Sequence, residues 1–360
     1  MRKQYIDNLR CVTVVLVVLY HVIYMFNGVL TEGVIGPFME HQWWDAFQYI
    51  LYPWFMLLLF VISGMCSRYY LENHSDREFL KSRTAKLLVP STLGILTFHW
   101  ITGFFNMAFS GAFKQMPAIP GPILWLIMSV SGTGVLWYIQ VLWILSVLLI
   151  LVRKLDKDRF YRICGKCPVP LIAAFVIPLF GAAQILNAPV ICVYRFGIYG
   201  LGFLIGYFVF SHDEVMEKLE KGWAIYCGLA VCLAGIYVFV YFGEDYAVPP
   251  VRDTALSIVF AWTTVLAMLT LFKRYFDKKT KLLSFLSRRS FGLYVFHYTF
   301  IAAAAYLMHI YGNVPALLQY LICAVSAFVG SYLLEEIVSR IPVLRFLVLG
   351  IKKKKDDDHV

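Results

Sequence analysis

Apolar residues run in blocks of about twenty along most of this 360-residue chain, broken by short charged stretches. A helix of roughly twenty residues is about 30 Å long, enough to cross the hydrocarbon of a bilayer. Ten spans are predicted, at approximately 9–28, 46–68, 87–107, 133–152, 170–188, 196–211, 222–243, 254–272, 291–311 and 315–337. The stretch GPILWLIMSVSGTG (121–134) is apolar but too short to cross, and is expected as a re-entrant or interfacial piece. The first block has no small-residue cleavage site after VLYHVIYMF, so a permanent helix is expected there rather than a removed leader. The pattern implies an all-α, polytopic membrane protein of about ten transmembrane helices. Residues 1–350 form one membrane domain, and 351–360 a charged cytoplasmic tail. With no internal repeat and only short loops, any chemistry must be built from helices and their ends.

Charge adds an orientation. With the N-terminus inside, the inner segments hold 29 of the 32 Lys and Arg, and the outer loops keep only Lys114, Arg195 and Arg252. The positive-inside rule then places both termini in the cytoplasm of a cell (plasma or inner) membrane protein. The net charge of +10 is therefore topogenic and implies no nucleic-acid partner, while the terminal KKKK offers a contact for anionic membrane lipid. Six of the eight cysteines fall in or beside apolar spans, where a thiol acts as a small hydrophobe. Cys164 and Cys167 form a CxxC in an inner loop. A zinc site would need two more ligands at suitable spacing, none is adjacent, and no metal is expected.

The first span carries the chemistry that stands out. Arg10 and His21 are eleven positions apart, which leaves a net rotation of about 20° and a rise of about 16 Å on a helix. Asp7 lies within about 40° of the same line, so Asp7, Arg10 and His21 form one stripe rising from the inner surface into the bilayer. For Arg10 two readings stand: an orientation charge that snorkels to the surface, or a functional cation. For His21 structural glue is the plainer reading. Function is favoured over it, because ionisable groups inside a membrane are costly and usually line a cavity or relay. Burial favours the neutral imidazole, the form that accepts a proton.

Other polar positions gather near the same levels. Ser63-Gly64 ends FVISG, where close helix packing is the first reading. Arg83 and Lys86, one turn apart at the inner edge, are topogenic charges or a cationic mouth for a phosphorylated ligand. Trp137 suits an interfacial belt and Gln140 lies one turn deeper. His297 is embedded among aromatic and aliphatic residues as His21 is, whereas His99 and His309 are expected at the outer interface. Glu335 and Glu336 lie near the inner edge, with a salt bridge to Arg340 as the plain account.

Taken in order, YIDNLRCVTVVLVVLYH (5–21), FVISG (60–64), FLKSRTAKLLVP (79–90), LWYIQVLW (136–143), SFGLYVFH (290–297) and RIPVLRFLVLG (340–350) resemble the type-three integral-membrane acyltransferases. These modify sugars and polysaccharides from acyl-CoA. The closing EEIVSRIPVLRFL is similar to the glucan-biosynthesis protein C branch, which transfers succinyl groups. One departure is Lys86, where the family usually carries a second arginine, so a point charge replaces a bidentate contact there.

The resemblance implies His21 and Arg10 as catalytic residues, with Arg83, Lys86 and Arg10 binding the donor, acetyl-CoA or succinyl-CoA. Asp7, Ser63, Trp137, Gln140, His297 and Glu335 would support them. The acceptor implied is a saccharide, glycan or lipid-linked sugar. Some relatives carry a soluble esterase-like domain after the helices. This sequence shows none, so a separate periplasmic or extracytoplasmic partner is expected. The competing expectation is a transporter or flippase for a saccharide or small anion, which would also place ionisable groups at mid-membrane and would predict an inverted repeat that is not visible.

Overall fold

The computed structural model describes residues 3–29, 34–40, 42–116, 119–189, 193–312 and 314–352. Cys192, Arg2 and the charged tail from 353 onward lie outside the described residues. The main helices are α1 Gln4–Tyr24, α2 Trp43–Leu71, α3 Asp76–Phe109, α4 Gly121–Ser131, α5 Gly134–Asp156 and α6 Val169–Ala183. They continue with α7 Phe196–Phe210, α8 Trp223–Tyr241, α9 Ala255–Tyr275, α10 Lys281–Tyr311, α11 Ala316–Arg340 and a short α12, Pro342–Leu349. Eight of them, α1, α2, α3, α5, α8, α9, α10 and α11, are long and apolar enough to cross a membrane, among the described residues. The protein is an all-α polytopic membrane protein.

Helix ends depart from the apolar blocks where good helix formers extend them. α3 begins at Asp76 and α10 at Lys281, about ten residues before the predicted spans, because DREFLKSR and KLLSFLSRR continue the helix into polar surroundings. The predicted fifth and sixth spans are the shorter apolar helices α6 and α7. The predicted end of the fifth span, up to 188, instead turns at Leu186 (φ 56°) into a strand, β1 Asn187–Pro189. This strand pairs antiparallel with β2 Val193–Arg195.

The described chain groups into two compact units. The first holds residues 1–16, 43–80 and 144–288. Here the start of α1 is pinned from two sides. Asp277 accepts the Tyr5 amide at 3.0 Å, one of the orphan donors of a helix N-terminus. The Asn8 side chain donates to the Phe276 and Lys278 carbonyls at 2.6 and 3.0 Å. α2 and α7 touch backbone to backbone: a Cβ on Gly64 would lie 2.0 Å from the Phe203 carbonyl oxygen, and one on Gly206 equally close to that of Val61. Ser63 is buried beside this contact, its carbonyl accepting from Ser67 Oγ at 2.7 Å. Its packing role is the one the structure displays.

At the other end of this unit Arg195 and Arg252 are both buried and both bind Asp253, at 2.8 and 2.6 Å. Arg252 is carried by a short turn that follows Pro250, and Thr254 caps α9 by accepting the Ser257 amide at 3.2 Å. Two of the three cations assigned to outer loops are thus tied to one carboxylate.

The second unit holds residues 17–42, 81–143 and 289–360. α3 is distorted twice here, by π-turns at Thr84–Leu88 and Ile95–His99. The first follows from Pro90, which has no N–H to give the carbonyl of Lys86.

Removing the shared carboxylate tests the first unit. Asp253→Asn leaves two buried guanidinium groups without their counter-charge, and stability is expected to fall by about 3–5 kcal/mol. The thermal unfolding midpoint in detergent reads this; an unchanged midpoint would show that the triad holds nothing together.

Candidate active site

α10 brings His297 to the centre of the second unit, where it is fully buried. Its Nδ1 donates backward to the carbonyls of Leu293 and Tyr294 at 3.0 and 2.9 Å. A carbonyl can only accept, so the ring proton of a neutral His297 sits on Nδ1 and its Nε2 presents a lone pair. Facing it, on the last turns of α1, is His21. His21 Nδ1 lies 2.8 Å from the Val17 carbonyl and 3.2 Å from His297 Nε2, two acceptors for one N–H. That proton therefore also sits on Nδ1, which leaves His21 Nε2 as an unprotonated basic nitrogen. The ring centroids are 5.1 Å apart.

Aromatic rings hold His21 in place. Tyr298 and Tyr20 meet it edge-on at 5.4 and 5.2 Å, and Tyr24 at 6.1 Å. Tyr294, next to His297 on α10, donates its hydroxyl to the Val135 carbonyl at the start of α5. It also meets Tyr138 edge-on at 5.8 Å, and Trp137 packs on Tyr138 in turn. Thr299 and Thr102 share a buried hydroxyl contact at 2.5 Å that joins α10 to α3.

His99 departs from its expected place at the interface. It is 2 % exposed, because the re-entrant piece folds as α4 and closes over it. A Cβ on Gly132 would lie 1.9 Å from the His99 carbonyl oxygen, and one on Gly103 1.7 Å from that of Met128. Two glycines thus let α4 lie directly on the α3 backbone. His309 is exposed.

Lys86, exposed, lies on the first distorted turn of α3, and Arg83, half-buried, directly precedes the turn. That turn is held on two sides. Trp143 donates its indole N–H to Thr84 Oγ1 at 3.1 Å. On another side α12 lies against it, and Gly350, in the left-handed region at φ 65°, approaches so closely that a Cβ would stand 2.1 Å from the Ala85 carbonyl oxygen. The π-turn hands the Val89 amide to Thr84, and Pro90 has none to give, so neither reaches the Ala85 carbonyl, against which Gly350 packs. Gln140 donates to the Ser91 carbonyl at 3.1 Å, one turn further along α3.

Glu335 is buried 3.9 Å from Arg289 and against Gly292, while Glu336 binds both Arg289 and Arg340, at 3.1 and 3.0 Å. The plain salt-bridge account thus describes Glu336, and Glu335 turns to α10. Asp7, Arg10 and Ser63 belong to the first unit, where Asp7 accepts from Arg10 Nη2 at 2.8 Å. Burial pushes the Cys164 thiol up to about 11, a poor nucleophile and ligand.

Around the two histidines the second unit gathers residues of YIDNLRCVTVVLVVLYH, LWYIQVLW and SFGLYVFH, whereas FVISG lies in the first unit. A family model described as an acyltransferase domain matches residues 3–336. The chain belongs to the type-three acyltransferase family. No curated protein and no solved structure matches it. The match extends over all the helices that carry the two histidines and decides for a transferase over a carrier. This acyltransferase is an integral-membrane enzyme that moves an acyl group onto a hydroxyl-bearing acceptor.

Some residues around the two histidines escaped the reading of the sequence. Trp143 lay inside a stretch already singled out, and Tyr298 follows His297 directly, so their neighbours pointed to them. Nothing in the sequence marks Thr102 and Thr299.

Gly350→Ala tests the clamp on the first turn of α3. An alanine in left-handed backbone costs about 1–2 kcal/mol before any clash with Ala85, so a lower thermal midpoint is expected. An unchanged one would mean that α12 is not seated there.

Proposed function

We propose that this enzyme transfers an acetyl or succinyl group from cytosolic acyl-CoA to a hydroxyl of a saccharide, glycan or lipid-linked sugar. His21 acts as general base and His297 orients it. The observation that carries the reading is the His21–His297 contact, with both ring protons directed at carbonyls and a basic nitrogen left on His21. His21 Nε2 takes the proton of the acceptor hydroxyl as its oxygen attacks the thioester carbonyl. The imidazolium that forms keeps its Nδ1–H on His297 Nε2, a buried acceptor that holds the charged ring in orientation. Collapse of the tetrahedral intermediate expels the CoA thiolate, which takes the proton back from His21. Atoms and charge balance without a covalent histidine intermediate.

Arg83 and Lys86 form the cationic mouth for the donor phosphates. The firm seating of their turn between Trp143 and Gly350 favours this. Lys86 supplies a point charge where an arginine would grip bidentately. The skew of Lys and Arg argues for both termini in the cytoplasm of the inner (plasma) membrane, with the acceptor and a separate extracytoplasmic partner on the other side. Similarity of the C-terminal stretch to the glucan-biosynthesis branch favours succinyl.

Three variants separate these roles. His21→Ala is expected to abolish transfer in a protein that still inserts and folds; full activity there would end the proposal. His297→Ala should lower kcat by about 10²-fold or more with KM little changed, the range expected for losing acid–base function. Calorimetric titration with acetyl-CoA and succinyl-CoA names the donor, and Arg83→Ala should weaken that binding. Equal binding by wild type and variant would remove Arg83 from the mouth.

A further inference from the structure

An apolar cavity in the first unit plays no part in this chemistry. It has a volume of about 580 Å³ and lies between α5, α6 and α7, walled by Val152, Phe175, Pro178, Leu201, Leu204 and Phe208. From Val209 to Leu201 it follows α7 for eight residues, about 12 Å. Only Asp156 and Cys164 among its lining residues are polar, and both fall in the charged segment 153–166.

That segment is a basic rim beside the cavity, with six cations. Arg153 is held by Asp76, whereas Lys154, Lys157, Arg159, Arg162 and Lys166 are exposed. The carboxylates among them are engaged: Asp156 accepts the Phe160 amide at 2.7 Å, and Asp158 binds Arg68 at 2.7 Å. On the short helix Arg159–Cys164, exposed Phe160 and Ile163 alternate with exposed arginines, the mixture found at a headgroup boundary. The mouth of the cavity thus calls for an anion and its interior for hydrocarbon. A single molecule that joins the two is an anionic lipid, because a soluble phosphate would leave the apolar walls uncovered.

We propose that this cavity binds one anionic phospholipid, its phosphate held by Arg159, Arg162, Lys166 and Lys154 and one acyl chain laid along α7 between Leu201 and Val209. The site lies wholly within the first unit and does not depend on which histidine is the base, on the donor, or on the orientation of the protein.

Native mass spectrometry of the full chain in detergent tests this with phosphatidylglycerol and phosphatidylcholine of the same chains. Wild type should retain one phosphatidylglycerol at least tenfold better than phosphatidylcholine, with the preference falling as ionic strength rises. The combined variant Lys154→Gln, Arg159→Gln, Arg162→Gln, Lys166→Gln should erase that preference, since each cation near a surface contributes about fivefold. Leu204→Trp, which fills the cavity, should reduce retention of both lipids. Equal retention by wild type, or a preference that outlives the four substitutions, would overturn the proposal. So would a second copy of the chain occupying the cavity in place of lipid. Should Leu204→Trp fail to fold, the charge variant decides alone.

Discussion

Hydrocarbon offers no water, so every amide, hydroxyl and imidazole that enters it must find its partner within the protein. Much of this structure is an answer to that demand. The carbonyls of α1 and α10 accept the Nδ1 protons of His21 and His297. Thr102 and Thr299 satisfy each other. The same demand that fixes the helices also fixes the tautomers, and the tautomers leave the basic nitrogen on His21. In this reading catalysis is a by-product of hydrogen-bond satisfaction in a dry medium.

The first unit shares the second's backbone-to-backbone contacts, as where Gly64 and Gly206 let α2 meet α7, and adds charges paired near the ends of the helices. A buried ion pair of this kind contributes little beyond an apolar replacement but is costly to break. Arg195, Arg252 and Asp253 therefore specify how the chain closes between β2 and α9 more than they stabilise it.

Much of this was legible in the sequence. Long apolar blocks can only be helices in lipid, so the eight long helices and the class of the fold followed from composition and spacing. The recurrence of a histidine in α1 and in α10 pointed to the centre, and the order of six short stretches pointed to the family. What could not be read depends on contacts between distant segments. His99 looked interfacial because it stands toward the outer end of its apolar block; in the fold α4 lies on the backbone there, through two glycines 29 positions apart. The capping of α1 by Asp277 and the early starts of α3 and α10 were hidden because a hydropathy pattern marks where hydrocarbon begins, not where the helix does. The π-turns had a signal in Pro90, but only the docking of α12 gave it meaning.

The two fifteen-residue helices α6 and α7 have a consequence for the membrane itself. Each is about 22 Å long, some 8 Å less than ordinary hydrocarbon thickness. α7 is buried among the other helices, so the mismatch falls on lipid beside α6, whose surface is largely exposed. Where α6 crosses, that lipid must shorten or tilt to meet its ends, at a fraction of a kcal/mol per Å. A thicker membrane would then work against this helix first while leaving its longer neighbours undisturbed.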